Sequence, residues 1–383
     1  MKNEQILTNA QLVLQDEVIN GTLVIRDGKI AEISEGRSRA AGAEDLQGNY
    51  LTPGLIELHT DNQEKYFTPR PKVDWPADMA MMTHDAQLVA AGITTVFDSV
   101  ALGDIIGDSA RVEKLETMID SVVASEQAGR NRAEHFLHLR CEVSFPGLQA
   151  FFDRFIDTPL VKLVSVMDHA PGQRQFPPEN IPKYREYYQG KYGLSDGQMD
   201  AFIAEQQANS AEFADRYRRM ICEACDQRNI AVASHDDATR AHAEESAGFG
   251  MKVAEFPTTV EAAQVSHDLG LKVLMGAPNV VRGGSHSGNV AAHELAKLGC
   301  LDILSSDYYP SSLLQAAFKV ATLDNNYGVA EAIALVTANP AEAAGLIDRG
   351  TLTVGKRADL VEVKPGSELQ LVERVWSRGK RVF

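Results

Sequence analysis

Two side chains that bind metals stand one residue apart at the end of an apolar segment. The segment Thr52-Pro-Gly-Leu-Ile-Glu-Leu-His59-Thr-Asp61 has the character of a buried strand that ends in an imidazole and a carboxylate. Side chains at i and i+2 of a strand share a face, so His59 and Asp61 would point into the same space. This pair suits Zn²⁺ or a similar divalent ion. The alternative is an Asp that caps a helix beside a hydrogen-bonded His.

Further candidate ligands follow later apolar segments. The set consists of Glu142, His235 and Asp307, with Glu255 as an additional candidate. Carboxylates and imidazoles that converge on one place would repel each other and lose solvation, unless a metal or protons offset the cost. A divalent metal is therefore predicted. The alternative is that some acidic residues cap helices; the cap candidates are Asp98, Asp236 and Asp237, and weaker metal candidates are Asp168 and His169.

Short apolar segments rich in β-branched residues alternate with longer helical patterns, which is typical of repeated βα units around a parallel sheet. Eight such strands predict a (β/α)₈ TIM-like barrel, in which active sites lie at the carboxyl ends of the strands. The predicted strands are Leu55 to His59, Ile93 to Asp98, Phe136 to Val143, Leu160 to Met167, Ile230 to His235, Val253 to Phe256, Lys272 to Met275 and Ile303 to Ser306.

The pattern of apolar and polar residues at both ends of the chain differs from that of the middle. The first fifty residues alternate apolar and polar positions, with Asp27-Gly28 as a hairpin signal. The same alternating pattern is found from Gly355 to Phe383. The two ends are therefore predicted to pair into one small sheet domain.

Basic, glycine-containing segments follow several predicted strands and would face the same mouth of the barrel. Backbone N–H groups beside glycine approach anions closely, and Arg and Lys add charge and directed donors, so the set suits phosphate. Solvated turns with ordinary surface charge are the alternative for any single member. The candidate phosphate ligands are Lys72, Arg174, Arg185, Arg282, His286 and Asn289.

Composition excludes several classes of function. The 383 residues carry a net charge of -16, which opposes binding to nucleic acid and to anionic membranes. No apolar run reaches the length of a membrane span, and Met1-Lys-Asn-Glu-Gln lacks the features of a signal peptide, so a cytoplasmic protein is expected. The spacing of Cys222 and Cys225 could suit a zinc knuckle or a redox pair, but the pair lies in a helical stretch and has no second pair elsewhere. Core packing as small hydrophobes is therefore favoured. A homo-oligomer remains open.

The chain resembles the amidohydrolase superfamily through Pro53-Gly-Leu-Ile-Glu-Leu-His59-Thr-Asp61, the His after the fifth strand, the Asp after the eighth and the late Gly355-Lys-Arg-Ala-Asp359. Within it, Thr68-Pro-Arg-Pro-Lys-Val-Asp-Trp-Pro76, Asp168-His-Ala-Pro-Gly-Gln-Arg-Gln175 and Arg282-Gly-Gly-Ser-His-Ser-Gly-Asn289 are similar to the PhnM-type phosphonate-metabolism branch. The resemblance implies an amidohydrolase-type barrel over residues 53–347 and a small β-sandwich domain built from residues 1–52 and 348–383.

The same resemblance implies a metal-dependent diphosphatase. The substrate would be α-D-ribose 1-methylphosphonate 5-triphosphate, cleaved to the 5-phosphate and pyrophosphate in the carbon-phosphorus lyase pathway. One or two divalent ions are implied, with zinc as the leading identity. The superfamily's usual His-x-His is His59-x-Asp61 here, and Glu255 stands where a His usually follows the sixth strand, so manganese and magnesium are alternatives.

Asp307, which resembles the superfamily's last-strand Asp, is the predicted catalytic residue. It would accept the proton of the attacking water and pass it to the leaving oxygen. Two rival functions remain open: an amidohydrolase acting on a cyclic amide or N-acyl substrate, and a noncatalytic scaffold of a phosphonate-pathway assembly. The basic loops oppose the first rival, and the presence of His59, His235 and Asp307 opposes the second.

Overall fold

A computed structural model describes residues 4–103, 110–285, 288–323 and 327–383. Its residues group into two compact units. The first unit contains Met1–Asp98, Asp120–Phe136 and Met275–Phe383, and the second contains Ser99–Ile119 and Leu137–Leu274. Within the described residues, no helix is long and apolar enough to cross a bilayer.

Sixteen strands lie in the described part of the chain. In chain order they are β1 Glu4–Val13, β2 Val18–Arg26, β3 Lys29–Glu35, β4 Glu44–Asp45, β5 Tyr50–Pro53, β6 Leu55–Thr60, β7 Ile93–Leu102, β8 Glu134–Glu142, β9 Val161–Met167, β10 Ala231–His235, β11 Val253–Glu255, β12 Lys272–Gly276, β13 Ile303–Ser305, β14 Leu360–Lys364, β15 Leu371–Ser377 and β16 Lys380–Arg381.

The helices follow most of the central strands. In chain order the described α-helices are α1 Gln63–Phe67, α2 Ala77–Ala90, α3 Ala110–Gln127, α4 Leu148–Phe155, α5 Ile181–Tyr192, α6 Asp196–Gln227, α7 Arg240–Gly248, α8 Val260–Asp268, α9 Ala277–Arg282, α10 Ala292–Leu298, α11 Ser312–Val320, α12 Val329–Ala334 and α13 Ala338–Ala343.

The two ends of the chain share one sheet. Its strand order is β16-β15-β14-β5-β1-β2-β3, and β4 pairs with β1. β14 runs antiparallel to β5, with Leu360 opposite Pro53, so the C-terminal strands join the N-terminal ones. Asp27 and Gly28 connect β2 to β3 with positive φ angles of 52° and 79°, as a two-residue hairpin turn requires. The predicted small sheet is confirmed; its domain boundaries stay a prediction.

The core of this small sheet is aliphatic and includes one tryptophan. Leu7, Leu23, Ile25 and Leu360 are buried in it, and Trp376 is 1% exposed. Alternate residues of a strand face the same side, so Leu23 and Ile25 of β2 face this core together. Removing this apolar area from water supplies most of the stability of the sheet.

Strands β6 to β13 form the barrel. They lie in the sequential order β13-β12-β11-β10-β9-β8-β7-β6 in one eight-stranded sheet. Parallel pairing joins β6 to β7, β8 to β9, β9 to β10, β10 to β11 and β11 to β12. The first and last strands meet through a parallel bridge between Thr60 and Asp307. All eight predicted strands lie on observed strands, so the predicted fold class is confirmed.

The four cysteines form no disulfide among the described residues. Cys141, Cys222, Cys225 and Cys300 are buried thiols, and the Cys300 thiol donates to the carbonyl oxygen of Leu295. Burial raises the pKa of the Cys222 thiol to about 11, so it is protonated at neutral pH and packs as an apolar group.

Candidate metal centre

Three predicted ligands meet at the junction of the first and last barrel strands. His59 and Asp61 come from the end of β6, and Asp307 lies two residues beyond β13. Ligand atoms of these three residues lie within 4.8 Å of one another, and His59 Nε2 is 4.0 Å from Asp61 Oδ1. Backbone bonds fix the junction, because Asp307 N–H donates to His59 O at 3.1 Å and Asp61 N–H donates to Asp307 O at 3.2 Å. We call these three residues the first ligand group.

A buried glutamate lies behind this junction. Glu57 is fully buried and accepts hydrogen bonds from His59 N–H at 2.8 Å and from Ser306 N–H at 2.6 Å. The Ser305 hydroxyl also donates to it. Burial raises the pKa of the Glu57 carboxyl to about 7, although these donors favour its ionised form. Glu57 therefore ties the end of β6 to the end of β13, which holds His59 and Asp307 near each other.

A second group of candidate metal ligands lies after β9 and at the end of β10. His169 Nε2 lies 3.7 Å and His235 Nε2 lies 3.6 Å from the same oxygen of Asp236, Oδ2. The two imidazole rings are 5.5 Å apart and nearly perpendicular. His235 and Asp236 are buried, and the His169 side chain is 18% exposed. We call these three residues the second ligand group.

Carboxylates orient both imidazoles of the second ligand group. Glu142 Oε2 accepts from His169 Nδ1 at 2.6 Å, and Glu255 Oε2 accepts from His235 Nδ1 at 2.8 Å. A carboxylate on Nδ1 fixes the ring and directs the Nε2 lone pair outward, as in many histidine-metal sites. Burial lowers the pKa of His169, but the carboxylates of Glu142 and Asp236 outweigh it and raise the pKa to about 10. The carboxylates around this ring therefore favour positive charge at this position.

The distances between the ligand atoms distinguish a possible metal site from a hydrogen-bonded network. Two ligand atoms that are each about 2.1 Å from a tetrahedral metal lie about 3.4 Å from each other, whereas hydrogen-bonded N and O atoms lie closer than about 3.2 Å. The 3.6 to 4.0 Å spacings in the two ligand groups are near the metal value. In contrast, Asp98 contacts His84 at 2.6 Å and His135 at 2.7 Å. That buried cluster is a hydrogen-bonded network.

The predicted metal ligands thus lie in two different chemical settings. His59, Asp61 and Asp307 lie together, and His235 lies with two residues that were not in the predicted set. Glu142 accepts from the Ser144 hydroxyl at 2.7 Å in addition to His169. Glu142 and Glu255 are therefore placed as hydrogen-bond partners of histidines, and their direct ligation of metal stays a prediction.

The predicted phosphate ligands also divide into two classes. Arg174 is 4% exposed, forms an ion pair with Asp237 and donates to Glu245 at 2.8 Å. Arg185 forms an ion pair with Asp200. Among the described residues, Lys72 and Arg282 form no ion pair and are exposed, and Asn289 is half-buried. His286 lies outside the described residues.

Three residues at the site were missed or ranked low by the sequence reasoning. His169 and Asp236 are members of the second ligand group, although Asp236 was a cap candidate. The cap of α7 is instead Thr239, whose side chain accepts from His242 N–H. Asp98 is also not a cap, because it lies inside β7. The third residue is Lys65, whose ammonium donates to the carbonyl of Tyr308 at 2.5 Å, next to Asp307.

Comparisons with known proteins extend these observations. Residues 86–383 match the amidohydrolase family. The alpha-D-ribose 1-methylphosphonate 5-triphosphate diphosphatase of Escherichia coli is 54% identical over 379 residues, which cover 99% of this chain and 100% of that protein. The adenine deaminase of Lysinibacillus sphaericus is 23% identical over 94% of this chain and 54% of its own length.

Solved structures share the fold at low identity. The 5-methylcytosine deaminase of Klebsiella pneumoniae with 5-fluorocytosine has a TM-score of 0.65 and 16% identity, covering 99% of this chain and 97% of that one. A mutant N-acetyl-D-glucosamine-6-phosphate deacetylase of Mycobacterium smegmatis has a TM-score of 0.66 and 16% identity, covering 99% of both chains. These two structures support the fold alone.

Proposed function

The chain belongs to the amidohydrolase family, and from that premise we propose that it is a metal-dependent diphosphatase. Its substrate is α-D-ribose 1-methylphosphonate 5-triphosphate, and its products are the 5-phosphate and pyrophosphate. The observation that carries this proposal is the 54% identity to the Escherichia coli diphosphatase along the whole of both chains. The two ligand groups support the dependence on metal.

The donor set fits divalent metal. The first ligand group offers one imidazole and two carboxylates, and the second offers two imidazoles and one carboxylate. Imidazole suits zinc, and carboxylate also suits manganese and magnesium, so we propose zinc with the other two as alternatives. A divalent ion in such a site lowers the pKa of its bound water from about 15.7 toward about 7 and neutralises phosphate charge.

Asp307 is the proposed proton acceptor. Its carboxylate belongs to the first ligand group and is half-buried, so it can reach a water molecule near His59 and Asp61. As the water oxygen attacks phosphorus, its proton passes to Asp307, and the anhydride bond to the pyrophosphate breaks. Asp307 then returns the proton to solvent or to the leaving oxygen, which regenerates the carboxylate.

The proposed phosphate ligands are cations that pair with no carboxylate in the part of the chain that the structure describes. Lys72 and Arg282 keep this predicted role, with Asn289 and His286 as the polar members of the set. Lys65 joins them, because its exposed ammonium donates to the carbonyl of Tyr308, the residue after Asp307. Among the described residues its only other contact is with the Tyr308 ring. We propose a different function for Arg174, which is to hold Asp237 beside the second ligand group.

The reaction itself provides the test. Metal-loaded protein incubated with the triphosphate should release pyrophosphate in phosphorus NMR, and a chelated sample should not. Cyclic amides should not be hydrolysed in the same assay conditions. Amide hydrolysis without pyrophosphate would favour the amidohydrolase rival, and a protein that binds no metal would favour the scaffold.

We infer that the partner is a small molecule and that the protein works in the cytoplasm. The substrate named for the Escherichia coli relative is a small phosphorylated sugar. The net charge of -16 opposes association with nucleic acid. Size-exclusion chromatography with light scattering would decide between a monomer and the homo-oligomer that the sequence leaves open.

A further inference from the structure

Phe256 adopts a backbone conformation that bulky residues avoid. It follows the last residue of β11 with a φ of 54°. In this left-handed region the Cβ atom crowds the backbone, so non-glycine residues other than Asn and Asp are rarely found there. Such a conformation persists only where the surroundings hold it, and it is often associated with a functional site. Here Phe256 N–H donates to Leu274 O at 2.9 Å.

The left-handed turn brings two consecutive side chains to one imidazole. In an extended strand Glu255 and Phe256 would point to opposite faces. Instead, Glu255 Oε2 accepts from His235 Nδ1 at 2.8 Å, and the Phe256 ring contacts the His235 ring edge to face, with centroids 5.6 Å apart at 90°. The carboxylate fixes one ring atom of His235, and the phenyl ring limits rotation of the imidazole about that hydrogen bond.

We propose that Phe256 is a positioning residue for His235. Its ring holds the imidazole plane so that Nε2 points toward Asp236, which is 3.6 Å away. The inference rests on one part of the function proposed above, which is that the protein binds a divalent metal. It does not depend on the identity of the substrate. The strained backbone of Phe256 is then the means by which β11 supplies both contacts to His235.

Three substitutions at Phe256 distinguish the effect of its aromatic ring from the effect of its strained backbone. Phe256→Leu removes the aromatic contact and keeps a side chain in the left-handed conformation. Phe256→Gly removes the contact and relieves the conformation, because glycine adopts positive φ freely. Phe256→Tyr keeps the ring. Phe213→Leu is the matched control, because Phe213 is also half-buried and stacks on another aromatic ring, Tyr217, at 5.5 Å.

The measurement is Zn²⁺ affinity by competition with a chelating indicator, alongside thermal unfolding. Aromatic pairs contribute about 0.5 to 1.5 kcal/mol, so Phe256→Leu and Phe256→Gly should both weaken Zn²⁺ binding by about 2- to 12-fold. Phe256→Tyr and Phe213→Leu should bind as the wild type does, and Phe256→Gly should unfold at or above the temperature of Phe256→Leu.

Two outcomes would overturn the proposal. One is wild-type Zn²⁺ affinity in both Phe256→Leu and Phe256→Gly, which would leave Phe256 a structural residue only. The other is an equal loss of affinity in Phe213→Leu, which would indicate a general loss of stability. Because no substrate is used, weakened Zn²⁺ binding would support the positioning role even if the wild type failed to cleave the triphosphate.

Discussion

Glu134 is the centre of a charged network whose contribution to stability should depend on pH. It begins β8 and accepts from three arginines: Arg349, Arg357 and Arg378. Its side chain is 19% exposed, and those of Arg349 and Arg357 are 6% and 12% exposed. Burial alone would raise the pKa of Glu134, but the arginines outweigh it and lower the pKa to about 2, from 4.5 in an unfolded chain.

The size of the effect follows from proton linkage. A carboxyl with a lowered folded pKa stabilises the protein above its unfolded pKa, and this stability is lost as the pH falls toward the folded pKa. A shift from 4.5 to about 2 corresponds to about 3 kcal/mol at pH 7, about 2 kcal/mol at pH 3.5 and little at pH 2. Glu134→Gln should therefore lower the free energy of unfolding by about 3 kcal/mol at pH 7 and by less in acid.

Urea unfolding at pH 7 and pH 3.5 measures this difference, with the fluorescence of buried Trp376 as the signal. Glu116→Gln is the matched control, because Glu116 pairs with Arg154 on the surface, where the side chains are 52% and 54% exposed. Such exposed pairs contribute about 0 to 1 kcal/mol. If Glu134→Gln cost the same at both pH values, or no more than Glu116→Gln, the network would not stabilise the fold in the way argued.

The site residues give three further predictions. Asp307→Asn should keep the fold and reduce pyrophosphate release by about 10²- to 10⁴-fold; near wild-type turnover would remove Asp307 from proton transfer. Lys65→Ala should raise KM for the triphosphate several-fold with little change in kcat, because one cation that binds the substrate phosphates is lost. An unchanged KM would contradict this role of Lys65. Arg174→Gln should lower the free energy of unfolding by about 3 to 5 kcal/mol, because it removes the cation that pairs with the buried Asp237 carboxylate. A rise in KM at unchanged stability would instead support phosphate binding by Arg174.

The architecture was predictable because its signals are local and repeated. Each barrel strand is a short apolar segment followed by a helical pattern, and the order of such units along the chain restricts the topology to very few folds. The hairpin at Asp27 and Gly28 was predictable for the same reason, since its turn chemistry lies in two adjacent residues. Strand ends were less predictable: β7 continues to Leu102, four residues beyond the predicted end, through a segment with no clear stop signal.

The first ligand group was largely predictable, and the second was only partly so. His59 and Asp61 are related by the two-residue period of a strand, and Asp307 ends an apolar segment. For Asp168 and His169, the sequence could not decide which side chain would face the site. The structure turns Asp168 to the Ser210 hydroxyl at 2.9 Å and His169 to Glu142. That choice depends on contacts with a distant helix, which spacing along the chain does not encode.

The turn at the strand ends explains why carboxylates occur among the candidate ligands. Asp236, Phe256 and Asp307 all have φ angles of 54° to 56°. Each donates its N–H to a carbonyl in or beside the barrel: Asp236 to Glu255 O, Phe256 to Leu274 O, and Asp307 to His59 O. The chain thus forms one more backbone hydrogen bond after the strand and then turns sharply. Aspartate tolerates this conformation better than most residues, so one residue can both form the turn and present a carboxylate to a metal. Phenylalanine gains nothing from the turn itself, and its edge-to-face contact with the His235 ring is one interaction that favours this conformation.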